Sequence, residues 1–198
     1  LARLLESDAL PVKTLALNYV ASERAVESLY QFSLNPEDET RQVAQRLREE
    51  GHERIGILAP ESDWGLRVYD SFNLANVEFD NTLIESAFYG DQKTLSPAVA
   101  KVLATDLSKA RTRTVTQITG IPLDSVPRRR QDIDAVFMVA KADIAKQLKP
   151  LLAYHYASNL PVYATSQINA LDNQDNLRDL NGIRFVDMPW SLSATIGL

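Results

Sequence analysis

The chain has 198 residues, 45% of them hydrophobic and 24% charged, with 21 basic against 26 acidic side chains and a formal net charge of −5. That balance suits a globular chain with a sizeable core, and it speaks against wholesale nucleic-acid binding, which needs a broad basic face. Cysteine is absent and histidine occurs twice, which excludes disulfides, thiolate nucleophiles and cysteine-based metal sites within the chain.

In chain order, Val12 to Leu17 (VKTLAL) predicts a short strand and Leu29 to Leu34 (LYQFSL) a weaker one. A helix follows from Asn35 as N-cap with Pro36 at its first position, acids in its first turn, and Thr40, Val43, Ala44 and Leu47 at helical spacing; Gly51 closes it. Arg54 to Leu58 (RIGIL) reads as a buried strand, Pro60 to Trp64 as a loop, and Gly65 as the opening of a helix whose Val68, Phe72 and Ala75 share a face. The stretch Asn73 to Asn81 falls short of the helix ending expected before the next strand, Leu83 to Phe88. Ser96-Pro97 then predicts the cap of a helix carrying Val99, Val102, Leu103 and Leu107, and Ala135 to Val139 another buried strand. A helix from about Asp143 carries Ile144, Leu148, Leu151 and Leu152, with Pro150 expected to kink or shorten it. Val162 to Ala164 and Ile183 to Val186 complete the strands.

Strands alternating with helical patterns predict an α/β fold, a Rossmann-like parallel sheet with flanking helices. Ligands of such sheets gather beyond the carboxyl ends of the strands. Here those ends are Asn18-Tyr19, Ala59 to Trp64, Ala140 to Asp143, Thr165 to Gln167 and Asp187 to Trp190, which makes Asn18, Glu61, Ser62, Asp63, Trp64 and Ser166 the cleft candidates. The loop Glu61 to Gly65 has two readings. In one it is a polar and aromatic rim over a helix N-terminus, suited to an anionic or sugar-like ligand; in the other Asp63 caps the helix and Trp64 packs.

Catalytic signatures are missing. No Gly-x-Ser-x-Gly elbow, phosphate-binding glycine loop or His-Glu-x-x-His pair occurs. His52 follows the helix-ending Gly51, where a cation favours a helix C-terminus, and His155 continues the apolar stripe of Leu148, Leu151 and Leu152 as a packed residue. Glu37, Asp38 and Glu39 read as first-turn helix acids, and Asp172, Asp175 and Asp179 as solvated surface. The expectation is a non-enzyme without cofactor or metal.

Charge is unevenly spread. Six basic residues between Lys109 and Arg130 face one acid, Asp124, which leaves 15 basic and 25 acidic residues elsewhere. The densest part, Arg128-Arg129-Arg130, ends a connection that feeds the strand Ala135 to Val139. It reads either as a solvated connection paired with acids such as Asp132 and Asp134, or as a site for an acidic partner surface, since arginine suits bidentate carboxylate contacts.

No apolar run approaches the ~20 residues of a spanning helix, and the first residues lack the charged start and apolar centre of a signal peptide. A start at Leu1 instead of Met predicts a piece of a longer protein whose targeting signals lie elsewhere.

The stretch Leu29 to Phe72 resembles the middle of type I periplasmic-binding-protein folds, where a strand of the first lobe crosses a hinge into a helix of the second, followed by a strand, a loop and a glycine-started helix. LALN (15–18), SLNPEDE (33–39), LAPESDWGLRVYDSFN (58–73) and PRRRQDIDAVFMVA (127–140) are more specific, and are similar to the LpoA family of lipoprotein activators of class A penicillin-binding proteins. The resemblance covers about Leu15 to Pro189. It implies one nearly complete lobe plus part of a second: 1–34 a remnant of the first lobe and hinge, 35–188 the second lobe, 189–198 a return towards the first. It also implies a Gram-negative outer-membrane lipoprotein, anchored by an N-terminal lipid outside these residues, on the periplasmic side. That protein would bind a class A penicillin-binding protein, a peptidoglycan synthase, and stimulate crosslinking without catalysis of its own. Arg128, Arg129 and Arg130 are the partner-binding candidates. A periplasmic receptor for an amino acid, sugar or cell-wall fragment is the alternative that the same fold allows.

Overall fold

In the computed structural model, residues 9–16, 26–31, 35–122, 125–169 and 179–188 are described. Among the described residues thirteen elements follow one another. Two strands, β1 (Ala9–Ala16) and β2 (Glu27–Gln31), pair in parallel as a small sheet of their own. The rest builds a second sheet: α1 (Pro36–Glu49), β3 (Arg54–Pro60), α2 (Asp63–Glu78), β4 (Thr82–Tyr89), α3 (Gln92–Val102), α4 (Thr105–Thr119), β5 (Ala135–Met138), α5 (Ala142–Tyr154), β6 (Val162–Ala164), a 3-10 turn (Ser166–Ile168) and β7 (Ile183–Phe185).

The five strands pair in parallel in the order β4-β3-β5-β6-β7. Period-two alternation explains why both faces are dry. Ile55, Ile57, Ala59, Ala135, Phe137, Val139 and Tyr163 point to one face, where Val43, Ala44 and Leu47 of α1 and Val68, Phe72 and Ala75 of α2 cover them. Leu58, Val136, Met138, Val162 and Ala164 point to the other, under Leu95, Val99 and Val102 of α3 and Ala145, Leu148 and Leu152 of α5. Phe72 and Phe137, both without exposed surface, pack as a tilted pair with ring centroids 4.4 Å apart. Burying one such ring is worth about 3 kcal/mol.

Local chemistry sets the helix ends. Asn35 caps α1 by accepting from the Glu37 amide, as its Asn-Pro-acid start predicts, and Gly51 takes the left-handed turn after it at φ 78°. Several predicted ends differ. The cap of α2 is Ser62, whose Oγ accepts from the Gly65 amide at 3.2 Å, and Asp63 is the first helical residue. The helix runs unbroken to Glu78, so Asn73 to Asn81 holds no shortfall, and Asn81 reaches across to the Ala44 carbonyl at 2.8 Å.

Ser96-Pro97 lies inside α3 and caps nothing. Asp91 caps that helix through a reciprocal capping box with Thr94, which satisfies its free amides so completely that the helix starts before the proline. Leu107 belongs to the next helix, because Ala104 turns left-handed at φ 54° and breaks the chain between α3 and α4. Pro150 does not shorten α5, which continues to Tyr154; burial of Leu148 and Leu152 on the sheet outweighs the one lost backbone bond. The stretch from Lys109 onwards, expected to be a connection, is helical as far as Thr119.

Candidate functional site

Counted from β3, the strand order is 2-1-3-4-5, which reverses direction between β3 and β5. Loops leaving neighbouring strands on opposite sides of such a switch point open a crevice beyond the carboxyl ends. A cavity of about 430 Å³ lies there, between the loop after β3 (Pro60, Ser62, Trp64), the end of β4 (Tyr89, Gly90), the start of α5 (Lys141, Ile144) and Gln167.

Each wall has a structural reason. The Glu61 amide donates to the Tyr89 carbonyl at 2.7 Å and the Ser62 amide to the Pro60 carbonyl at 2.9 Å, which fixes the loop between β3 and α2. Tyr89 is buried, its hydroxyl donating to the Val139 carbonyl at 2.7 Å, and burial pushes its pKa up. Trp64 is half-buried and packs on the core beneath α2 while its edge lines the cavity. The walls offer aromatic and aliphatic surface with one cation, Lys141, and two polar groups, Ser62 and Gln167.

Of the cleft candidates, Ser62 and Trp64 come together here. Glu61 sits beside it, its carboxylate 3.5 Å from where a Cβ on Gly90 would lie; Asp63 is exposed at the head of α2 and does not line this cavity. Asn18 lies outside the described residues. Ser166 is committed elsewhere: its amide donates to Glu39 Oε2 at 2.8 Å and its hydroxyl to Oε1 at 3.0 Å. Glu39 is thus a first-turn acid of α1 that is also buried, at 6% exposure, tying α1 to the turn after β6. Burial pushes its pKa up, the two Ser166 bonds oppose this, and the Asp187 charge adds to the rise. Sequence reasoning missed Tyr89 and Glu39: the end of β4 went uncounted among the strand ends, and a helix-start acid carries no sign that it is buried. Lys141 and Gln167 do fall within stretches the sequence marks as strand ends.

Neither histidine has a catalytic setting. His52 lies just past α1, its amide donating to the Leu47 carbonyl at 2.8 Å and its ring edge-on to Tyr163. His155 ends α5 at 4% exposure, with Nδ1 2.8 Å from Thr105 Oγ1 and Nε2 3.2 Å from Ser96 Oγ. Burial, with Lys109 nearby, pushes its pKa down. Among the described residues no carboxylate hydrogen-bonds the ring; it locks α3, the first turn of α4 and the end of α5 together. Among the same residues no group of three or more His, Asp or Glu is placed to hold a metal, and no helix is long and apolar enough to cross a membrane.

The arginines occupy the opposite end of the sheet, at the amino edge of β5. Arg130 is an anchor. Its amide donates to the Leu103 carbonyl at 2.8 Å, its guanidinium grips Asp132 bidentately at 2.7 and 2.8 Å, and Nη1 lies 3.6 Å from Glu85 of β4. The Arg130 hydrogen bond holds the Asp132 pKa down at about 2. Asp134 is not a partner of the triplet: Arg54 takes it at 2.8 Å, and the Arg54 and Glu53 amides add to that grip. Arg129 donates to the Arg130 carbonyl at 2.9 Å and approaches Asn159. Arg128 is exposed. Its amide is tied to Ser108 Oγ of α4 at 3.0 Å, while its guanidinium engages nothing among the described residues.

Comparison with known proteins places this architecture. A family model described as "LppC putative lipoprotein" matches residues 1–196. A protein of Photobacterium profundum named penicillin-binding protein activator LpoA is 32% identical over 189 residues, covering 93% of this chain and 30% of its own length. The chain therefore spans about 30% of the length of the curated relatives it matches. Among solved structures, the LpoA (YraM) C-domain of Haemophilus influenzae, titled a regulator of PBP1A, superposes with a TM-score of 0.59 at 23% identity, covering 90% of this chain and 48% of that one. A "putative branched-chain amino acid ABC transporter" of Chromobacterium violaceum superposes with a TM-score of 0.60 at 26% identity, covering 91% of this chain and 49% of that one. The fold is thus that of the periplasmic-binding-protein-like group, and a match running from residue 1 to residue 196 means that the chain belongs to the LppC lipoprotein family, the family of the LpoA activators.

Proposed function

We propose that this chain is part of an outer-membrane lipoprotein of a Gram-negative bacterium that acts in the periplasm, binds a class A penicillin-binding protein and stimulates its peptidoglycan crosslinking. It catalyses nothing itself and uses neither cofactor nor nucleic acid; its membrane attachment is an N-terminal lipid outside these residues. The observation that carries this reading is the family match along 1–196, together with relatives named penicillin-binding protein activators. In this reading residues 1–34 belong to a first lobe and its hinge, 35–188 form the second lobe, and 189–198 return to the first. In this reading Arg128, exposed and with its guanidinium unengaged among the described residues, and Arg129, whose guanidinium also holds the Arg130 carbonyl, contact the partner, and Arg130 supports them from beneath.

The test is binding of the full-length protein to a purified class A penicillin-binding protein from the same organism, with crosslinking followed in parallel. Saturable binding with faster crosslinking is expected. No binding at tens of micromolar, the weak end of specific recognition, overturns the reading.

One observation favours a second reading. The cavity of about 430 Å³ at the switch point has the size and the aromatic walls of a small-molecule site. A receptor for an amino acid, sugar or cell-wall fragment would show a ligand-dependent rise in melting temperature; absence of any shift across those three classes removes it.

A further inference from the structure

Helix α4 is built inside out. A surface helix ordinarily turns its apolar stripe to the core and its polar residues to water. Here the less exposed positions are Thr105, Ser108, Thr112 and Thr116, spaced three or four apart along the side facing the molecule, and Thr105 is the sole buried residue of the helix. Hydroxyls make the attachment: Thr105 to His155, Ser108 to the Arg128 amide, and Thr112 to Ser125 at 2.7 Å. The aliphatic residues point away. Leu107 is 59% exposed and Ile118 79%, with Val115 beside them and Ile121 and Val126 on the segment that follows. Leu107, Arg111, Thr114 and Ile118 fall at intervals of four, three and four, one stripe along a helix about 22 Å long.

Basic side chains run through and around this stripe. Arg111 lies within it and Arg128 joins from the returning segment, while Arg113 and Lys109 lie about 120° and about 160° round the helix from Leu107, Lys109 on the side of His155; all four are exposed and none has an ion-pair partner among the described residues. The only acid on the helix is Asp106, in its first turn. We propose that the outer face of α4 is the docking surface for the synthase, and that it receives an acidic, aliphatic-surfaced segment of that protein. The inference rests on the activator reading and adds the surface and its chemistry to it.

Charge and placement select a protein as the occupant. A helix seated on an anionic membrane segregates its charges from its apolar face, whereas Arg111 sits between Leu107 and Ile118, and α4 carries no aromatic anchor. A partner with carboxylates around an aliphatic patch satisfies both halves: arginine grips carboxylates bidentately while Leu107 and Ile118 bury. Another exposed apolar strip, Leu66, Leu74 and Val77 of α2, is interrupted by Asp70, and α2 also has a conventional apolar inner face. It serves as the control.

The experiment uses the full-length protein and a purified class A penicillin-binding protein from the same organism. Leu107→Asp with Ile118→Asp is expected to weaken binding by about tenfold or more, the loss typical of central interface residues, with an unchanged melting temperature because both side chains are exposed. Arg111→Glu with Arg113→Glu is expected to weaken binding and flatten its salt dependence, and Leu74→Ser with Val77→Ser to leave it unchanged. If the wild type binds and both α4 variants bind within twofold of it, the docking surface is refuted while the activator reading stands. If the wild type does not bind, both fall. Sedimentation of the wild type, but not of the Leu107/Ile118 variant, with phosphatidylglycerol vesicles, alongside unaltered synthase binding, replaces the protein partner with a membrane.

Discussion

Gly65→Ala sets two physical effects against each other. Helix propensity alone says that alanine in the first turn of α2 stabilises, by about 1 kcal/mol. Packing says the opposite. A Cβ on Gly65 would lie 2.0 Å from the Pro60 carbonyl oxygen, 2.8 Å from Pro60 Cγ and 3.0 Å from its carbonyl carbon. The obstacle is backbone at the end of a central strand, and it cannot swing aside: the Pro60 oxygen holds the Ser62 amide at 2.9 Å, and Ser62 in turn caps Gly65. Relieving the clash means moving the start of α2 off the sheet by more than an ångström. Overpacking of this kind costs about 3 kcal/mol, so the substitution should destabilise by a net of about 2 kcal/mol and lower the melting temperature by about 4–8 °C for a chain of this size. Urea and thermal unfolding measure it. A variant as stable as the wild type, or more so, would refute the claim that close approach of helix and strand, and not backbone freedom, requires glycine there. The same displacement carries Ser62 and Trp64 with it, so the cavity at the switch point should open in step with the loss of stability.

Two further outcomes follow from the ionised groups. Because burial raises the Glu39 pKa above its ordinary 4.5, the folded state holds that proton more tightly than the unfolded chain, and the protein loses stability as pH rises through the window above 4.5; Glu39→Gln keeps a partner for both the Ser166 amide and hydroxyl, so its stability relative to wild type should climb as pH rises above 4.5 in urea melts, and a flat difference would show that Glu39 titrates as an ordinary surface acid. Arg130→Ala should cost about 1 kcal/mol at neutral pH, the upper range for half-exposed pairs, and Arg128→Ala should change stability by less than about 0.5 kcal/mol; with Asp132 depressed to about 2, the Arg130 contribution is present above the ordinary 3.8 and fades as pH falls towards 2, so equal costs for the two arginines, or a cost for Arg130 that persists at pH 2, would show that the ion pair is not the anchor.

The parallel sheet was legible because its strands are buried on both faces, and burial on both faces writes continuous apolar runs such as Ile55 to Leu58 and Ala135 to Val139 into the sequence. Helices α1, α2 and α5 were legible for the same reason, each with one dry stripe. The cleft was half legible. Strand order cannot be read from one sequence, so the switch point between β3 and β5 was not available, and Tyr89 entered the wall from a strand end that nothing local marked. Capping chemistry misled where two signals competed: Ser96-Pro97 has the composition of a helix start, yet Asp91 and Thr94, five and two residues ahead of Ser96, satisfy the free amides first.

Helix α4 escaped the reading because periodicity reports burial, and α4 buries one threonine. Its aliphatic residues Leu107, Val115 and Ile118 are spaced with gaps that Arg111 and Thr114 fill, and the face they share is one that the described residues leave exposed. Leu107 and Ile118 stand exposed while the helix is attached through the hydroxyls of Thr105, Ser108 and Thr112. The attachment also explains how such a helix persists: His155 pins its first turn, and Arg130, locked to Asp132 and Glu85, fixes the returning stretch of chain whose Ser125 and Arg128 brace its inner side. The arginine triplet at the mouth of β5 therefore divides its labour by depth. Arg130 holds the platform, and Arg128 belongs to the surface that the platform presents.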